Sequence, residues 1–269
     1  MSMRTMEQDG LVIVQSSLLL EAGVPHGWFD SSLGNTQFRP DNPFNDPEYV
    51  PLPVIQERRA RACGALGLDV ARLVTTSGLV QTDIIQRVDE RHAGSEAGRA
   101  DGYVTNTPNL PIAINAADCL QTVMYEPRAQ AMAVVHSGGA GTALRVLPKA
   151  VALMRREYDA RPADMIVGIG PSISGDSFIP SRAIDGYQTS ELTDPDIITV
   201  PQVDGRLGYD VGATAVRQLR KSGVLLRHID ISNIDTYTNE TYYSWERDRE
   251  SNPAASMRRQ PLIAALPVA

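Results

Sequence analysis

Residues 100–142 read ADGYVTNTPNLPIAINAADCLQTVMYEPRAQAMAVVHSGGAGT, and this stretch decides the fold. LPIAIN, CLQTVMYE and AMAVVH are three β-rich apolar runs in close succession, and EPRAQ has the polar, Pro-containing make-up of a turn between the last two. If the last two runs pair as a hairpin, Cys119 near the start of one and His136 near the end of the other lie side by side. A thiol beside an imidazole can be activated as a nucleophile, or the two can share one zinc ion. Buried thiols and hydrogen-bonded core histidines are also ordinary structural features, so spacing alone leaves both readings open. The glycines of SGGAGT, among them Gly138 and Gly139, precede a helical run and suit either an anion-binding nest or a tight turn.

Outward from this block, strands and helices are mixed. LVIVQSSLLLEAG opens the chain as a strand or strand pair. The Gly-, Pro-, Asn- and Asp-rich PHGWFDSSLGNTQFRPDNPFNDPEYVPLP is expected to be a long surface loop, functional or inserted. VIQERRARACGALG has helical spacing with Gly67 at its C-terminal end, and Cys63 within it reads as a small core filler. LVTT and VQTDIIQRV are short β-like runs before the loop DERHAGSEAGRADG. On the far side, Leu147, Val151, Met154 and Tyr158 keep helical spacing with Pro148 in the first turns. DMIVGIG and LLRHIDIS read as strands, YDVGATAVRQLRKSG as a helix ended by Gly223, and QPLIAAL as a last strand. Several adjacent strands with interspersed helices predict an α+β fold in one domain spanning residues 1–269.

The 269 residues carry a net charge of −7 with a pI near 5.1, which argues against a nucleic-acid partner, because phosphate-backbone binders present a basic face. No apolar run approaches the length needed to cross a bilayer, and MSMRTMEQDG lacks the order of a signal peptide. A cytoplasmic location is expected, in which both cysteines stay reduced.

The same stretch resembles the core of the laccase-domain family, also known as multicopper polyphenol oxidoreductases or purine nucleoside phosphorylases, whose fold is similar to that of the cytotoxic necrotizing factor deamidases. The family's ADxxVT, TADC and HAGWRG motifs find counterparts in ADGYVT, AADC and HSGGAG. The likeness continues through GIGPSIS, YDVGATAVRQLRKSGV and YYSWERD, the last similar to the family's FSYRRD. It implies mixed β-sheets packed as a sandwich with flanking helices. It also implies a zinc held by the cysteine of ADC, the histidine of HAGW and a histidine from a QVHG strand. Cys119 and His136 match two of these, whereas Gln81 stands at the third position, with His92 in the next loop as a substitute. HSGGAGT lacks the Trp and Arg of HAGWRG, and GWFDSSLGN lacks the Arg of the family's TRxGG. Arg247 and Arg259 remain as the phosphate or substrate candidates.

The resemblance implies an enzyme on a small, nucleoside-like substrate, by phosphorolysis or deamination, with a homodimer as the assembly to look for. The missing histidine opens an alternative, a metal-free Cys–His amidohydrolase or deamidase with Cys119 as nucleophile, His136 as base and Asp118 orienting or capping. A third reading is a ligand-binding member without catalysis. Four histidines scattered singly are too few for a multicopper cluster.

Overall fold

The computed structural model describes residues 3–39, 49–180 and 195–268, and two six-stranded sheets lie at its centre. One has the order β1 (Met3–Gln8), β2 (Leu11–Ser16), β3 (His26–Phe29), β14 (Gln260–Ala264), β7 (Ile112–Ala116), β4 (Val74–Thr75). The other has β13 (Ile229–Ile231), β10 (Ile166–Ile169), β8 (Leu120–Glu126), β9 (Ala131–Ser137), β6 (Gly102–Thr105), β5 (Ile85–Arg87). A small ribbon joins β11 (Thr199–Pro201) to β12 (Leu207–Tyr209). The helices are α1 (Ser17–Glu21), α2 (Leu52–Ala65), α3 (Gly139–Ala143), α4 (Val146–Tyr158), α5 (Val211–Lys221) and α6 (Trp245–Asp248).

Strand alternation sorts the side chains into layers. Ile112, Ile114 and Leu262 of the first sheet meet Tyr103, Val123, Tyr125, Met132 and Val134 of the second in a shared apolar cluster, so the sheets pack face to face. The outer face of the second sheet, with Met124, Ala133, Val135 and Val167, is covered by α4 and α5. The outer face of the first, with Ile13, Phe29, Ala113 and Ile263, is covered by α2 through Ala62 and Cys63. The result is an α+β sandwich of mixed sheets with helices on both outer faces.

Local chemistry sets the element ends. The β8–β9 turn closes because the Glu126 carboxylate accepts hydrogen bonds from the backbone N–H of Arg128 (3.3 Å) and Ala129 (2.6 Å). Helix α2 stops where Gly67 takes φ +67° and Leu68 N–H returns to the Cys63 carbonyl at 2.8 Å. Asp210 caps α5 by accepting from Ala213 N–H at 2.7 Å. Pro148 falls in the first turn of α4, where its missing N–H is harmless.

The expected loop after Pro25 is corrected in its first part. HGWF forms the buried strand β3 between β2 and β14, because its aromatic side chains fill space between layers that the local density of turn formers conceals. Trp28 packs on β10 so closely that a Cβ at Gly170 would lie 2.1 Å from the indole. Residues 40–48 of that stretch lie outside the described residues. Among the described residues, no helix is long and apolar enough to cross a membrane.

Candidate active site

β8 and β9 are antiparallel with Gln121 opposite His136, which sets Cys119 and His136 as diagonal neighbours on one face of the hairpin. Val123, Tyr125, Met132 and Val134 point between the sheets. By the same alternation Cys119 and His136 continue that row to the end of the sandwich, where the apolar filling stops. β6 supplies the third member. Gly102 pairs with Val135, so Asp101, one residue earlier, comes level with His136, whose N–H donates to the Asp101 carbonyl at 2.7 Å.

The side chains complete the contact. His136 Nδ1 lies 3.1 Å from Asp101 Oδ1, which leaves Nε2 for the hydrogen bond between the ring and Cys119. Both His136 and Asp101 are buried. Burial works against a charged imidazole, yet the neighbouring Cys119 and Asp101 outweigh it and raise His136 from 6.5 to about 9. Burial likewise opposes the Asp101 carboxylate, and the contact with His136 and the hydrogen bonds from Thr82 reverse this, holding it below the ordinary carboxylate value. Asp101 was not singled out from the sequence. The available signal was its place directly before GYVT, a strand that has to pair beside the His136 strand.

Asp101 also anchors the loop that carries Gln81. Its carboxylate accepts from the backbone N–H of Val80 (3.3 Å), Gln81 (3.0 Å) and Thr82 (2.7 Å), and from Thr82 Oγ1 (2.9 Å). Gln81 is held at φ +56°, in the left-handed region. Its side chain reaches Cys119 across Gly138, where a Cβ would come within 2.6 Å of Gln81 Oε1 and 3.0 Å of Cys119 Sγ. Gly138 is therefore required by close approach, and Gly139 opens α3 beside it.

Gln81, Cys119, His136, Gly138 and Gly139 line a cavity of about 270 Å³ whose walls include Phe178, Trp245 and Arg259, with Asp101 behind His136. Arg259 is half-buried and anchored by donating from Nη1 to the Ser256 and Arg258 carbonyls. Burial lowers it to about 10, Arg39 beside it adds to this, and Cys119 and Asp118 act in the opposite direction.

The remaining candidates are placed otherwise. Asp118 adjoins the cavity, but its carboxylate accepts from Thr236 Oγ1 (2.7 Å), Ser244 Oγ (3.0 Å) and Glu246 N–H (2.8 Å), so it ties the strand start to the segment before α6. Burial pushes its carboxyl above the usual range. The orienting carboxylate for His136 is Asp101. Arg247 is not part of the cavity lining and donates to the Thr236, Tyr237 and Tyr242 carbonyls. His92 is absent from the lining too: it closes a capping box with Asp89, accepting from Asp89 N–H at 3.1 Å.

A zinc ion implied by the family resemblance would find a thiol, an imidazole and a neutral amide here. Among the described residues, no group of three or more His, Cys, Asp or Glu side chains is arranged to hold a metal ion, and the Asp101 carboxylate is taken up by His136 Nδ1 and the Val80–Thr82 loop. An amide oxygen is a weaker zinc ligand than the imidazole it replaces, and His92 is committed elsewhere. This donor set does not fit a tight zinc site.

Known proteins agree with the architecture. YlmD from Geobacillus stearothermophilus superposes with a TM-score of 0.81 at 21% identity, covering 98% of both chains. The YfiH protein of Bacillus licheniformis gives 0.75 at 20%, again over 98% of each. A purine nucleoside phosphorylase of Mycobacterium tuberculosis is 30% identical over 227 residues, 83% of this chain and 87% of the relative. One from Deinococcus radiodurans is 32% identical over 178 residues, 64% and 65% of the two chains. The family model described as multi-copper polyphenol oxidoreductase laccase matches residues 52–256. The chain belongs to that family.

Proposed function

We propose that this protein is an enzyme acting on a purine-nucleoside-type small molecule, with Cys119 as nucleophile and the His136–Asp101 pair as its acid and base. The observation that carries this reading is the Asp101–His136–Cys119 chain of contacts at the wall of a cavity. Two further features support the substrate class. The cavity volume of about 270 Å³ suits a small molecule, and Phe178 and Trp245 offer aromatic walls to a flat base. The nucleoside itself comes from the names of the relatives.

Hydrolytic deamination follows from these groups. Cys119, as thiolate, adds to the ring carbon bearing the amino group. His136, as imidazolium, gives its Nε2 proton to the departing nitrogen, and ammonia leaves as the C–N bond breaks. Neutral His136 then takes a proton from water, whose oxygen adds to the same carbon, and the C–S bond breaks to restore the thiolate. Asp101 keeps the ring oriented throughout and supports its positive charge.

Phosphorolysis, the activity in the relatives' names, is the second reading, and Arg259 in the cavity wall favours it as a partner for an anion. The test is to incubate the purified chain with adenosine, guanosine and inosine, with and without phosphate, beside Cys119→Ser. Ammonia from adenosine, lost in the variant, is expected. Free base formed only when phosphate is present would move the assignment to phosphorolysis. Full turnover by Cys119→Ser would sink the nucleophile role.

A further inference from the structure

Gln81 is the residue by which this site departs most from a metal centre, and its geometry gives it work of its own. A non-glycine residue in the left-handed region is sterically strained, and such outliers persist where their surroundings over-determine them. Here three successive backbone N–H groups, from Val80 to Thr82, are drawn onto the one Asp101 carboxylate that also orients His136. The twist turns the Gln81 side chain over Gly138, its Oε1 nearest the slot beside Cys119, and a half-turn about the terminal torsion, which is two-fold for an amide, exchanges that oxygen for the Nε2 donor. Among the described residues that side chain has no hydrogen-bond partner, and it lies in the cavity wall.

We propose that Gln81 is a further catalytic residue: its side-chain amide donates a hydrogen bond to the atom on which negative charge builds when Cys119 adds to the substrate. The inference rests on Cys119 being the nucleophile. In this arrangement the amide meets the need that a Lewis acid would otherwise meet, stabilising the adduct without a metal. Asp101 is the positioning residue, because one carboxylate fixes both the base and the donor. Gly138 keeps the slot between Gln81 and Cys119 clear for the reacting atom.

Two reagents separate nucleophilicity from charge stabilisation. With p-nitrophenyl acetate, Cys119 Sγ bonds to the carbonyl carbon, the C=O pair moves to oxygen, and the adduct collapses to an acyl-thioester with loss of p-nitrophenolate. With iodoacetamide, sulfur displaces iodide in one step and no oxyanion forms. Both rates are measured at Cys119 by mass spectrometry in wild type, Gln81→Ala and the isosteric Gln81→Glu, which cannot donate as a carboxylate, with Cys119→Ser as background. The ratio of acylation to alkylation is expected to fall on the order of 10²-fold in both Gln81 variants. An unchanged ratio overturns the Gln81 role and leaves the nucleophile reading standing. If wild-type Cys119 reacts no faster than free cysteine with either reagent, the nucleophile reading fails and this inference with it.

Discussion

His26 and His136 are both buried in sheet strands, and their surroundings drive them apart. His26, on β3, has Nδ1 2.8 Å from the Val24 carbonyl and accepts from Ser16 N–H at Nε2. Burial dominates there, outweighing the Val24 carbonyl and the charge of Asp230, and lowers it to about 4. His136 has Asp101 and Cys119 and rises to about 9. Burial is common to both, so it cannot mark a functional histidine. What differs is whether the ring's hydrogen-bond partners are neutral backbone groups, which fix a neutral tautomer, or groups that share charge with it.

The strongest way to break this comparison is to remove each ring. His136→Ala should lower turnover by at least about 10³-fold, measured with the nucleoside that wild type turns over. His26→Ala should leave turnover per folded molecule unchanged. It should instead cost about 3 kcal/mol of stability, because Ser16 N–H and the Val24 carbonyl lose their partner and a gap opens beside Trp28. Urea unfolding reads this second effect. A His26 variant with lost turnover and full stability would reverse the roles.

Stability against pH sharpens the same contrast. His26 is depressed, so below about pH 6.5 the unfolded chain binds a proton that the folded chain refuses. That contribution to stability fades as pH falls from about 6.5 to about 4. His136 is raised, so its contribution is complete below about pH 6.5 and is lost as pH climbs through about 9. Each arm spans about 3 kcal/mol. The acid arm should flatten in His26→Ala and the alkaline arm in His136→Ala, each followed by denaturant titration from pH 4 to 9. Arms that flatten in the wrong variant would refute the assignment.

At residue 81 the comparison extends to metal. Gln81→His restores a third imidazole or thiol donor beside Cys119 and His136, and should bind zinc at least about tenfold more tightly than wild type, roughly 1.4 kcal/mol. A competition titration with a chromophoric chelator measures this, and adding Cys119→Ala should abolish the gain. Wild-type affinity equal to that of Gln81→His would show the amide to be an adequate ligand.

How far the sequence discloses these sites depends on how local the determinants are. The β8–β9 hairpin was legible because two apolar runs flank the polar stretch EPRAQ, and its register alone brings Cys119 to His136. Asp101 was hidden because the pairing of β6 with β9 is long-range and no local pattern announces it. Asp118, adjacent to Cys119, looked better placed, but strand alternation and its own φ of +77° turn its carboxylate to Thr236 and Ser244. His92 is close to Gln81 along the chain, yet a local capping box claims its ring. Strand β3 was concealed by the turn formers around it, since its reason for being extended is packing against β10 across the sandwich.

The smallest expected effect isolates the carboxylate. Asp101→Asn keeps the shape while removing the negative charge, so the His136 titration midpoint should fall by roughly one unit and the His26 midpoint near 4 should stay in place. Both are read in one imidazole NMR titration. The sign is fixed because an anion beside the ring favours its protonated form, and Cys119 remains to hold part of the elevation. The variant also offers one acceptor oxygen where two received the Val80–Thr82 amides, so acylation of Cys119 should slow more than alkylation does. A midpoint that moves without that change in ratio would leave Asp101 orienting His136 alone. A midpoint that does not move would assign the elevation of His136 to Cys119, and the two histidines would then differ by a sulfur and not by a carboxylate.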